Sequence, residues 1–201
     1  IKGLLRVIML PLLLVTLTII YVNSPSVNSR ISIAVNEVAD YVKEENRADP
    51  ASKAAATSAG VRLEMWRASS IFLKDYPLLG AGNGNYLKNI KRYTKQGLVH
   101  PATTSHSHPH NVFVYALMSK GILGLICVLM IFFFPLFVYL TNYRKMNASA
   151  SIGILFITAM FATSMTEAAP FNKSNFVATY LILSLVIFQN HMQAIKKNLA
   201  T

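Results

Sequence analysis

The segment 122–140 (ILGLICVLMIFFFPLFVYL) carries no charged residue over its whole length and is built mostly of Leu, Ile and Phe. A helix rises about 1.5 Å per residue and a hydrocarbon core is about 30 Å thick, so a run of this length fits a membrane span. Three further windows read as spans: 4–22, 148–165 and 176–192. The first holds Arg6 and Pro11, which a span tolerates when the cation lies near its end. A signal peptide is the rival reading of that window. No small-residue cleavage site follows Val22, and the chain opens on Ile1 rather than Met, so an internal span of a longer protein is expected. The last two windows flank TEAAPFNKSN (166–175) and read as a helical hairpin.

Composition agrees with a membrane chain. Of 201 residues 53% are hydrophobic and 13% charged, against roughly 25% charged in soluble domains. Mean hydropathy is +0.42, which excludes a disordered tail or a collagen. The single cysteine, Cys127, sits within the apolar run as a small packing residue and excludes a disulfide scaffold. The formal charge of +11 raises nucleic acid as a partner. Its Lys and Arg lie on short flanks of spans or in one long polar segment, with no reading motif, so nucleic acid is not expected.

Lys and Arg in short flanks set orientation. Lys2 and Arg6, then Arg144 and Lys145, then Lys196 and Lys197 belong on one side, the cytoplasm. The expected fold class is therefore all-α: a polytopic integral membrane protein, a helical bundle with four spans in this chain. Residues 1–22 form a span, 23–111 a large loop on the far side, 112–140 a span, 141–147 a cytoplasmic loop, 148–192 the hairpin and 193–201 a cytoplasmic tail. Within the loop, 36–60 is polar and reads as a solvated connector. Residues 61–74 carry apolar side chains at helical spacing and predict an amphipathic helix along the membrane surface, with Trp66 as an interfacial anchor; Pro77, Gly80, Gly82 and Gly84 end it.

Several side chains could carry chemistry. The segment TSHSHPHN over 104–111, reading Thr104-Ser-His106-Ser-His108-Pro-His110-Asn111, places three imidazoles at alternate positions just before a span. Alternate histidines suit zinc, but without a carboxylate or thiolate the pattern fits a polar interfacial loop better, above all for His100 and His106. His110 differs because it stands where loop meets helix, where a base of near-neutral pKa can meet a substrate arriving from lipid. Arg62 and Arg67 on the predicted helix are either interface charge or a clamp for diphosphate oxygens, a geometry a guanidinium matches. Glu167, at the outer end of the third span, is a functional candidate or an exposed loop residue. Lys88, Lys91, Arg92 and Lys95 form a basic cluster, either a solvated face or one turned to anionic glycolipid. Gly80–Gly84 lacks the Gly-Lys-Ser/Thr ending of a phosphate loop and reads as a turn.

His110-Asn111, nine residues, then Gly121-Ile-Leu-Gly124 resembles the His-Asn-x9-Gly-x-x-Gly pattern of the O-antigen ligase family, within the wider ligase and polymerase superfamily. The upstream GVRLEMW (60–66) and FLKDYPLLG (72–80) look like the segment that precedes it there. The resemblance implies a bacterial inner-membrane glycosyltransferase, with its site facing the periplasm and more spans than this chain holds. It would move O-antigen from undecaprenyl pyrophosphate to a sugar of the lipid A–core without a metal or other cofactor, inverting the anomeric centre. On this resemblance His110 would be the catalytic base and Arg62 would hold the donor diphosphate, with His108, Asn111, Arg67 and Glu167 touching substrate and membrane lipids surrounding the spans. Polymerisation onto a second lipid-linked glycan is the alternative in the same superfamily. A transporter or flippase component is the non-enzymatic alternative, and the absence of charged residues buried mid-span counts against it. Gly121 and Gly124 are expected to let spans pack closely.

Overall fold

The computed structural model describes residue 16, residues 18–141 and residues 143–166, with side chains other than those of 143–150 and 152. Most of the first predicted span, the fourth span, Glu167 and the tail lie outside the described residues. Among the described residues every regular element is helical.

Helix α1 spans Pro25–Lys43, α2 Ser58–Asp75, α3 Tyr86–Lys95, α4 Val112–Thr141 and α5 Tyr143–Ser164, with a 3₁₀ turn at Pro101–Ser105. Helix α1 begins on a capping Ser24 whose hydroxyl accepts from the Val27 N–H, with Pro25 in the first turn where no amide is missed. The expected connector over 36–60 is thus half helix, and its remainder is anchored. Glu37 accepts from the Ala59 N–H at 2.9 Å, Arg47 donates to the Tyr41 and Val42 carbonyls, and Ser52 and Ala55 are buried. Polar composition suggested a linker; local side-chain-to-backbone bonds make it structure.

The expected amphipathic helix is α2. Thr57 caps it by accepting from the Gly60 N–H, and Pro77 lies two residues past its end. Val61, Glu64, Met65, Ala68 and Phe72 form its buried stripe. The apolar four join Tyr86, Ile90, Tyr93, Val99 and Met118 in one core that binds α2, α3 and the start of α4. A second core packs α4 on α5 through Val112, Val128, Phe132, Tyr139 and Ile157, with Phe113 and Phe161 at 5.1 Å between ring centres. Among the described residues α4 alone is long and apolar enough to cross a membrane; α5 contributes a shorter apolar stretch, Gly153–Ser164.

Helix α4 is interrupted at Gly121, whose backbone (φ 66°, ψ −162°) only glycine adopts readily. The loop after α2 enters the break. Ala81 and Gly82 N–H groups donate to the Met118 and Ser119 carbonyls, while Ile122 and Leu123 N–H groups donate to the Pro77 and Leu78 carbonyls. The helix ends created by the break are therefore satisfied by this loop. A Cβ on Gly121 would meet the Leu78 carbonyl oxygen at 2.3 Å, and one on Gly80 the Lys120 amide nitrogen at 2.3 Å. This corrects the expectation that Gly121 serves contact between spans. Gly121 faces the loop, and a Cβ on Gly124 would meet Lys120 and Ala116 of its own helix.

Candidate functional site

The three histidines before α4 fold onto one another. His106 Nδ1 lies 3.2 Å from His110 Nε2, and the His108 and His110 ring centres are 4.5 Å apart. The His110 amide donates to His108 Nδ1 at 3.3 Å. The turn that brings them together uses His110 in the left-handed region, φ 51°, which a non-glycine residue adopts at a cost of about 1 kcal/mol.

Two side chains hold this loop. Trp66, the expected interfacial anchor, instead donates its indole N–H to the Pro109 carbonyl at 2.9 Å and ties α2 to the histidine loop, with Pro109 fully buried. Asn111 caps α4: its Oδ1 accepts from the Phe113 and Val114 amides, and its Nδ2 donates to the Met165 carbonyl. It is 4% exposed. Its polar atoms are thus engaged with the protein, fixing the helix start beside His110 and the end of α5.

Arg62 is exposed near the start of α2 and lines a groove of about 580 Å³ between α1 and α2, with Ser29, Arg30, Glu37 and Ser58. It also reaches the histidines electrostatically. Burial pushes the His106 imidazole below the ordinary histidine value, and positive charge on His110, His108 and Arg62 pushes it further the same way. The charged form of His106 is therefore disfavoured, and it shares a hydrogen bond with His110 that sets that ring's orientation. Reading the sequence alone assigned His106 to a bland loop. Its spacing of four from His110 was the available signal, and only the turn at Pro109 and His110 converts that spacing into contact.

Arg67 occupies a different place from Arg62. Its guanidinium binds Glu64 through Nε at 2.8 Å and Nη2 at 2.6 Å, and donates to the Leu98 carbonyl. Glu64 is fully buried and also accepts from the Tyr41 hydroxyl at 2.7 Å and the His100 amide at 3.0 Å. Burial alone would raise the Glu64 pKa, but these bonds, led by Arg67, outweigh it and hold the carboxyl below its usual value. The node ties α1, α2 and the segment after α3 together behind the histidine loop. His100 belongs to it, buried, with its Nδ1 accepting from the Ala102 amide to cap the 3₁₀ turn. The signal for Glu64 was its position on the stripe Val61, Met65, Ala68, where an acid must be partnered.

Glu64→Ala leaves the Arg67 head, a buried tyrosine hydroxyl and a buried amide without their acceptor. It is expected to destabilise the protein by about 3 kcal/mol, the low end for a broken buried pair because Arg67 still reaches water. Thermal unfolding of the full-length protein in detergent measures this. A carboxyl whose native pKa is depressed stabilises fully above the ordinary glutamate value and loses that contribution as pH falls through the depressed one. Wild-type protein is therefore expected to lose stability below about pH 4.5, a loss that Glu64→Gln blunts.

Two comparisons bear on this geometry. The profile of the O-antigen ligase family matches residues 2–129, which include every helix up to the middle of α4 and the whole histidine loop. An uncharacterized protein of Haemophilus influenzae is 23% identical over 137 residues, 66% of this chain and 32% of that protein. The chain thus spans about a third of the length of the curated relative it matches.

Proposed function

The chain belongs to the O-antigen ligase family, and from that premise we propose that it carries the catalytic part of a membrane glycosyltransferase. The enzyme takes O-antigen from undecaprenyl pyrophosphate and joins it to a sugar of the lipid A–core. The observation that carries this reading is the folding of the histidine loop at the head of α4, which sets His106 Nδ1 3.2 Å from His110 Nε2 while the charge of Arg62 is felt at His106.

Each has a role with a physical basis. A sugar hydroxyl is a weak nucleophile, and His110 takes its proton as the oxygen attacks the anomeric carbon. The bond from that carbon to the diphosphate oxygen breaks, and the electron pair leaves on the diphosphate. Arg62 stabilises that growing negative charge at the α1–α2 groove. Attack from the face opposite the leaving group inverts the anomeric centre. His106 and His108 position His110, Trp66 and Asn111 hold the loop, and Arg67 acts through Glu64 as a structural partner.

In this reading α4 and α5 lie among the spans of a bacterial inner-membrane protein, and the segment from α1 to the histidine loop faces the periplasm. Glu167, just after the last described residue, is kept as a candidate contact for substrate.

The test expresses the full-length gene in cells lacking their own copy and examines their lipopolysaccharide. Restoration of a long-chain ladder on lipid A–core, with polymerised O-antigen left on the lipid carrier in its absence, is the expected result. Cells that attach single repeats and lack only chain length would show a polymerase and overturn the ligase assignment.

A further inference from the structure

Helix α3 presents two faces of opposite character. Tyr86, Asn89, Ile90 and Tyr93 recur at helical spacing and are buried, while Lys88, Lys91, Arg92 and Lys95 are exposed. These four cations line, with Tyr76 and Asn85, a groove of about 540 Å³. One acid stands near it: Asp75, which binds Arg92 and accepts from the Tyr93 hydroxyl at 2.6 Å. Burial, followed by that bond, pushes the Tyr93 hydroxyl up to about 12, so it remains a donor. Among the described residues the ion pairs are Arg67–Glu64 and Arg92–Asp75, so Lys88, Lys91 and Lys95 have no acidic partner there.

The level of this groove follows from the break in α4. The carbonyls of Pro77 and Leu78 meet the amides of Ile122 and Leu123, where the exposed apolar surface of α4 begins and continues through Ile126, Met130, Phe133 and Phe137. Leu78 and Leu79, 60% and 75% exposed, extend that surface sideways. Four residues on, Ala81 and Gly82 have climbed to the level of Met118 and Ser119 on the polar side. With Ile122 as the start of the membrane-facing surface, the loop leading into α3 lies on its polar side, where cations can meet lipid-borne phosphates.

The groove is also separate from the one at Arg62. Arg62 and Tyr76 lie at opposite ends of α2, on the order of 20 Å apart at 1.5 Å per residue, and Trp66 holds the histidine loop between them.

We propose that the α3 groove binds the phosphorylated base of the acceptor glycolipid, an inference that rests on the transfer reaction above. Three unpaired ammonium groups and a guanidinium over ten residues match a headgroup with more than one phosphate, where a single phospholipid phosphate needs one or two. An acceptor anchored there by its phosphates would extend its glycan along α2 to present a hydroxyl at His110. The donor diphosphate then occupies the other end of α2.

The test uses full-length protein in vesicles of zwitterionic lipid and a K88Q/K91Q/K95Q variant. Equilibrium binding of purified acceptor glycolipid is measured alongside transfer, each with intact and with enzymatically dephosphorylated acceptor. Binding of the intact acceptor is expected to weaken roughly tenfold or more in the variant, its KM to rise in step, and the difference to vanish with the dephosphorylated acceptor. The KM for the lipid-linked donor stays at its wild-type value. Equal losses with both acceptors, no loss with either, or a loss that follows the anionic phospholipid content of the vesicles whatever the acceptor would each overturn the proposal. Wild-type protein that binds the intact acceptor in the expected pattern and transfers nothing would overturn the reaction assigned above while leaving the groove in place.

Discussion

Replacing His110 is expected to lower transfer by about 10²–10⁴-fold, the usual contribution of a positioned general base. The substitution has to respect the backbone: His110 sits at φ 51°, a conformation asparagine tolerates better than alanine. His110→Asn therefore separates loss of the base from loss of the turn, and His110→Ala is expected to match it in rate while melting slightly lower. Single-turnover transfer with a labelled lipid-linked donor measures both. Wild-type turnover in a folded His110→Asn protein would remove the histidine from the reaction. Burial and positive neighbours disfavour the charged form of His106, so its shared hydrogen bond with His110 is expected to persist at neutral pH and activity to fall as acid protonates His106.

Arg62→Ala is expected to lower transfer by about 10²–10³-fold, as removal of one preorganised partner for developing charge does elsewhere. Arg62→Lys keeps the charge but loses the forked geometry that matches diphosphate oxygens, so partial recovery is expected. The effect should fall on kcat more than on donor KM, since the negative charge grows as the sugar leaves. Arg62 is exposed at the groove surface, so the variant is expected to melt like wild type. An equal loss in a marker of folding would place Arg62 in the scaffold instead.

Legibility from sequence followed the range over which each feature is encoded. The stripe of α2 was readable because its period repeats within one helix, and the Gly80–Gly84 turn because glycine there has a local cause. His110 and Arg62 stood out by their place at the edge of helices and by resemblance to a known pattern. The folded part of 36–60 was read as connector because its polar side chains were assigned to water, whereas Glu37 and Arg47 bind backbone groups instead. Burial of Glu64, and contact between His106 and His110, depend on partners 23 to 36 residues away or on a turn that no periodicity announces. The true neighbour of Gly121 is a loop some 40 residues earlier, and sequence spacing alone pointed to another span.

A broken membrane helix is ordinarily a hinge, but the interruption at Gly121 acts as a weld. Bending α4 there would cost four backbone hydrogen bonds at once, all made to one loop. The polar and apolar halves of α4 consequently move as one body. The histidine loop at its head is thereby held at a fixed height relative to the exposed apolar surface of α4.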